Sequence, residues 1–163
     1  MTMTLIETIT VGSGGAASIE FTGIPQDGKD LQVLVSGRAS QTIFRMTLNS
    51  DTGSNYNQVI IRGNGSTVST DSYAFGFLLI GEQSTSAYTA DTFGNGCIYI
   101  SNYTSAVAKS ISADSVSENN STTANQLLVA GSYSGTSAIT SLQLVQSSGS
   151  FLEHSTASLY SIS

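Results

Sequence analysis

Apolar residues in this chain recur at every second position, in short runs, and no segment sustains a helical period. Leu31, Val33 and Val35 alternate with polar neighbours; so do Ala17, Ile19 and Phe21, and Phe44, Met46 and Leu48. A period of two puts successive side chains on opposite faces, the mark of strands with one face buried. The one weak helical stretch, Thr104 to Ser110, is short and β-favouring. Such strands bury their apolar face by stacking sheet on sheet. The predicted fold is all-β: a jelly-roll-like antiparallel β-sandwich of about ten short strands, in a single domain over residues 1–163.

The last quarter, Ala138 to Ser163, holds two such runs around a turn at Gly149 and is expected to form paired strands that close a sheet. Leu5 to Val11 and Ala17 to Phe21 read as a hairpin across Gly12-Ser-Gly-Gly15. Gly63-Asn64-Gly65 is a turn after the strand Tyr56 to Arg62. Tyr73 to Ile80 is apolar at both parities, predicting one strand covered on both faces. Gln126 to Gly131 predicts a central strand. Gly81 to Asp91 and Ser117 to Asn125 read as polar loops. The core is expected to gather Ile9, Ile19, Phe21, Leu142, Leu144, Leu159 and Ile162, with Cys97 as a small buried residue.

Charge narrows the function classes. Only 10% of residues are charged and the net charge is −6, against about 25% charged in ordinary soluble domains. The five basic residues, Lys29, Arg38, Arg45, Arg62 and Lys109, are scattered. Phosphate neutralisation has no basic patch to work with, so nucleic acid and anionic membrane are not expected partners. A lone cysteine forms no internal disulfide, which fits synthesis in a reducing cytosol. No apolar run has the length of a membrane span, and the N-terminus lacks the pattern of an export signal.

Residues able to do chemistry are few. His154 is the single histidine, and no Gly-x-Ser-x-Gly elbow accompanies it. Asp51, Asp71, Asp91 and Glu118 fall in predicted loops, and spacing does not pair them as a glycosidase would require. Asn49 to Asn55 alternates oxygen-bearing side chains without EF-hand spacing, and reads first as an Asx-rich turn rather than a calcium loop. Gly12-Ser-Gly-Gly15 precedes a strand, not a helix, which removes the phosphate-cradle reading. Sequons at Asn64, Asn102, Asn119 and Asn120 are expected chance matches. No enzyme activity, cofactor or metal is predicted. Tyr73 and the candidate contact residues Tyr56, Tyr88, Tyr103 and Tyr133 fall at strand ends or loops. With Asn102 and His154, the latter four tyrosines are the expected contacts for a neighbouring subunit or a sugar.

Several stretches carry a resemblance. Leu5-Ile-Glu-Thr-Ile-Thr-Val-Gly-Ser-Gly-Gly-Ala-Ala-Ser-Ile-Glu-Phe-Thr-Gly-Ile-Pro25 resembles the opening of small virion proteins of tailed bacteriophages, especially those of marine and cyanobacterial hosts. Tyr99-Ile-Ser-Asn-Tyr-Thr104, Lys109-Ser-Ile-Ser-Ala-Asp114 and the closing unit Gly149 to Ile162 are similar too; Ser161 stands where the pattern has glycine. The resemblance implies a jelly-roll structural protein on the outer capsid surface of a virion, assembled in the host cytoplasm. It further implies a decoration or cement protein, a homotrimer, with the major capsid protein as partner. The alternative it implies is a host-recognition module of a tail or head fibre that binds a host surface glycan. It carries over no catalytic residues.

Overall fold

The computed structural model describes residues 2–119 and 124–163. Thirteen strands occur among them: β1 (Met3–Thr10), β2 (Ser18–Thr22), β3 (Asp30–Ala39), β4 (Ile43–Leu48), β5 (Tyr56–Gly63), β6 (Val68–Phe75) and β7 (Leu78–Glu82) come first. β8 (Ser84–Thr85), β9 (Gly94–Ile100), β10 (Lys109–Glu118), β11 (Ala124–Tyr133), β12 (Ser141–Gln146) and β13 (Thr156–Ile162) follow. The larger sheet has the order β1-β13-β3-β9-β10-β11-β5-β6, and the smaller β2-β12-β4-β7. β8 adds a two-residue parallel bridge at the end of β3; all other ladders are antiparallel.

Four ladders are nested from the outside of the chain inward: β1 with β13, β2 with β12, β3 with β9, and β4 with β7. Successive pairs fall in alternate sheets, so the two sheets enclose one core. The hairpins β5–β6 and β10–β11 then extend the larger sheet beyond β9. The Asn64 side chain makes the β5–β6 turn: its Oδ1 accepts from the Ser66 and Thr67 N–H groups at 3.1 and 2.8 Å, and Gly65 takes the positive φ of 85° that the turn requires.

Inner faces meet as the alternation predicts. Leu31, Val33, Ile98, Ile100 and Leu159 of the larger sheet pack against Ile19, Phe21, Phe44, Met46, Leu142 and Leu144 of the smaller. Each fully buried side chain of this kind contributes about 1.5–3 kcal/mol. Ile9 is only half-buried against the core. Ile162 is buried beside Asp30 and lies outside the core cluster.

Several expectations are corrected. The two C-terminal runs do not pair with each other: β12 lies in the smaller sheet and β13 in the larger. β1 and β2 part company in the same way. Alternation reports that one face is buried, not which sheet owns the strand. Both crossings run past Phe151, which is fully buried and bridges Ala16 and Ala39. Tyr73–Ile80 is two strands in different sheets, broken at Gly76-Phe77, where a Cβ on Gly76 would meet the Thr52 carbonyl at 2.2 Å. The Gly81–Asp91 loop contains the end of β7 and β8. Ser117–Asn125 is strand at both ends, and its centre lies outside the described residues, as do parts of the sequons at Asn119 and Asn120.

Candidate interaction surface

Three of the six expected contact residues are interior. Tyr56 and Tyr103 have no exposed surface and Tyr133 has 4%. Tyr56 begins β5, Tyr133 ends β11 and Tyr103 follows β9, places where the backbone leaves unpaired groups that a phenol can reach. Tyr56 and Tyr133 lie opposite each other on β5 and β11 and stack with ring centroids 4.8 Å apart. The Tyr56 hydroxyl accepts from the Leu48 N–H at 2.9 Å and donates to the Asp51 carbonyl at 2.9 Å. The Tyr133 hydroxyl donates to Asp51 Oδ2 at 2.9 Å. The Tyr103 hydroxyl accepts from the Gly28 N–H at 3.2 Å and donates to the Pro25 carbonyl. These rings lock loops to the sandwich and present no face to a ligand.

The other three lie at opposite ends. Asn102 sits in an exposed turn with φ 51°, its N–H donating to Asp30 Oδ1 at 2.7 Å. Tyr88 and His154 lie at the far end of β3. Arg38 reaches the Tyr88 carbonyl at 3.3 Å, and the His154 N–H donates to the Val11 carbonyl at 2.9 Å. No single site joins them.

The Asn49–Asn55 loop has its oxygens engaged from within the chain. Asp51 accepts from the Gly53 N–H, the Asn55 amide and the Tyr133 hydroxyl, each at 2.8–2.9 Å. These bonds hold its carboxyl below the ordinary carboxylate range, with the Gly53 N–H the largest cause. Burial first, and then the bond to Asp51, pushes the Tyr133 phenol up to about 12. Asn49 Oδ1 accepts from the Thr140 N–H at 2.8 Å. This is a satisfied Asx-rich turn. Asp51 adjoins Tyr133, opposite the first residue of β10, while Glu118 ends that strand. At about 3.4 Å per residue that puts them about 30 Å apart, too far to share a substrate.

The chemistry that sequence reading missed lies on the outer face of the larger sheet, which the smaller sheet does not cover. Nine large apolar side chains are exposed among the described residues. Register and alternation place seven of them, Met3, Leu5, Leu34, Val59, Ile61, Val68 and Leu128, on this face. One rung across the strands reads Ile61, Leu128, Asp114, Cys97, Leu34; the next reads Val59, Ala130, Ser112, Tyr99, Gln32, Tyr160, Leu5. Cys97 is therefore on the outer face and half-buried, not in the core; it accepts from the Gln32 amide at 3.0 Å. Among the described residues, and away from strand ends, Asp114 is the only charged residue at an outward position. Val59, Ile61, Leu128 and Ala130, with Ser112 and Asp114, line an open depression of about 370 Å³.

The signal was present in the sequence. Val59-Ile-Ile61 and Leu127-Leu-Val-Ala130 are apolar at both parities, which reads as burial on both faces. Here one parity faces the core and the other faces outward, uncovered. No protein-family model, curated protein or solved structure matches this chain.

Proposed function

We propose that this chain is a structural protein of a tailed-phage virion, a decoration or cement protein on the outer capsid surface, where it binds the major capsid protein as a homotrimer. The observation that carries the reading is the outer face of the larger sheet. Its short, nearly uncharged side chains and clustered apolar groups suit a permanent contact with another protein surface. Single exposed apolar residues are ordinary; four on the adjacent strands β11, β5 and β6, Leu128, Val59, Ile61 and Val68, form a patch. The nested strand pairing supports reading the eight strands β1, β2, β3, β4, β7, β9, β12 and β13 as a jelly roll, an architecture common in viral capsids and lectins. The resemblance of the opening, central and closing stretches to phage virion proteins supports the same identity. Assembly in the host cytoplasm, followed by lysis, agrees with a thiol left free.

The alternative is a glycan-binding module of a tail or head fibre. Its one support is the outer-face pair Tyr99 and Tyr160, half-buried on either side of Gln32. Quantitative mass spectrometry of purified virions separates the two: hundreds of copies per particle support decoration, and a handful supports a fibre. Particles lacking the chain are expected to burst at lower temperature, and unchanged particle stability would count against cementing.

A further inference from the structure

Asp114 is an exposed residue at the border of the apolar patch formed by Leu128, Ile61 and Val59. Across the strands it is flanked by Leu128 and Cys97, and along β10 by Ser112 and Val116. No hydrogen bond or ion pair engages its carboxylate among the described residues. The depression beside it is walled by Val59, Ile61, Leu128 and Ala130. An apolar trough ending at one carboxylate matches one kind of guest: a side chain with a hydrocarbon stem and a cationic head.

The chain itself has little to offer as that guest. Lys109 is buried, its ammonium donating to the Ser105 carbonyl at 2.7 Å and to the Val107 carbonyl. Arg62 pairs with Glu82 at 2.8 Å. Arg45 lies 4.2 Å from the Phe77 ring centroid. Arg38 holds the Thr89 carbonyl at 2.8 Å. Only Lys29 is exposed, in the turn that precedes β3. A second copy laid face to face on this surface would also set carboxylate near carboxylate.

Resting on the reading of this sheet face as a protein contact, we infer that the depression beside Asp114 receives a lysine or arginine side chain of a different protein. The stem lies along Val59, Ile61 and Leu128, and the head meets the carboxylate. The contact thereby gains register: a flat apolar face slides, and one charge pinned in it does not.

The test uses the full chain, with its methyl groups observed by NMR during titration with n-butylammonium, n-butylguanidinium and uncharged 1-butanol. The Val59, Ile61 and Leu128 methyl signals are expected to respond to the cations about three- to five-fold more tightly than to butanol, the range of an exposed ion pair. Asp114→Asn should erase that preference. Equal responses to all three probes, or a preference that survives Asp114→Asn, overturns the inference. Binding to particles stripped of the chain separates the two readings. If Ile61→Ser/Leu128→Ser loses binding while Asp114→Asn keeps it, the contact face stands and the cationic guest falls. If neither variant changes binding, both fall. A dimer in sedimentation that Lys29→Gln abolishes would replace the foreign guest with a second copy.

Discussion

The hydroxyl of Tyr133 donates to Asp51 Oδ2 at 2.9 Å while its ring stacks on Tyr56, so one side chain ties the end of β11 to the loop after β4. Tyr133→Phe keeps the stack and removes the bond. The expected loss is about 1 kcal/mol in urea unfolding. Tyr56→Phe should cost more, about 1–3 kcal/mol, because it leaves the buried Leu48 N–H without its partner.

The same pair contributes to stability at both ends of the pH range. The Asp51 carboxyl is lower in the fold than in the unfolded chain, so its contribution is present above about pH 4 and is lost as pH falls through the folded value. The Tyr133 phenol is raised from about 10 unfolded to about 12 folded. Its contribution is complete below pH 10 and disappears as pH rises through about 12. Melting temperature followed across pH should fall on both sides, and Tyr133→Phe should shrink the alkaline arm without removing it, because burial also raises the Tyr56 and Tyr103 phenols.

Glycine positions should divide sharply. A Cβ at Gly76 would lie 2.2 Å from the Thr52 carbonyl oxygen, a backbone atom that has no rotamer to escape with. Gly76→Ala is expected to destabilise by about 2 kcal/mol or more. A Cβ at Gly12 meets nothing within 4 Å, and φ there is not positive, so Gly12→Ala should lie within about 0.5 kcal/mol of the parent or above it. Denaturant midpoints of the two variants check the contrast.

Outer-face and inner-face substitutions should separate binding from folding. Ile61→Ser and Leu128→Ser remove groups already 45% and 42% exposed, so each should cost under about 1 kcal/mol of stability. Their neighbours Ile60 and Leu127 point inward and are 1% and 2% exposed. Ile60→Ala and Leu127→Ala should cost about 2–5 kcal/mol. Thermal melts that fail to separate the two sets would contradict the assigned faces.

Strand existence was legible in the sequence because alternation at Leu31–Val35, Phe44–Leu48 and Leu142–Leu144 reports a local geometry. Pairing was not, because β12 and β13 bury the same kind of face into the same core from opposite sides. The exposed apolar face was hidden for a related reason. Composition does not distinguish Leu127, which faces the core, from Leu128, which faces out. Tyrosine position misled in the opposite direction. Tyr56, Tyr103 and Tyr133 fall at strand ends, as surface anchors do, yet their hydroxyls satisfy backbone and carboxylate groups inside.

The place of β13 between β1 and β3 has a consequence for biogenesis. Thr156–Ile162 joins strands made about 120 and 150 residues earlier in translation. Until it emerges from the ribosome, β1 has no neighbour, and β3 shows an open edge on the side where β13 belongs. Loops this long close slowly, and an open edge invites pairing between nascent chains. The larger sheet is therefore completed only once β13 has been made, and a chain stopped before Thr156 should collect in aggregates rather than fold with one strand fewer.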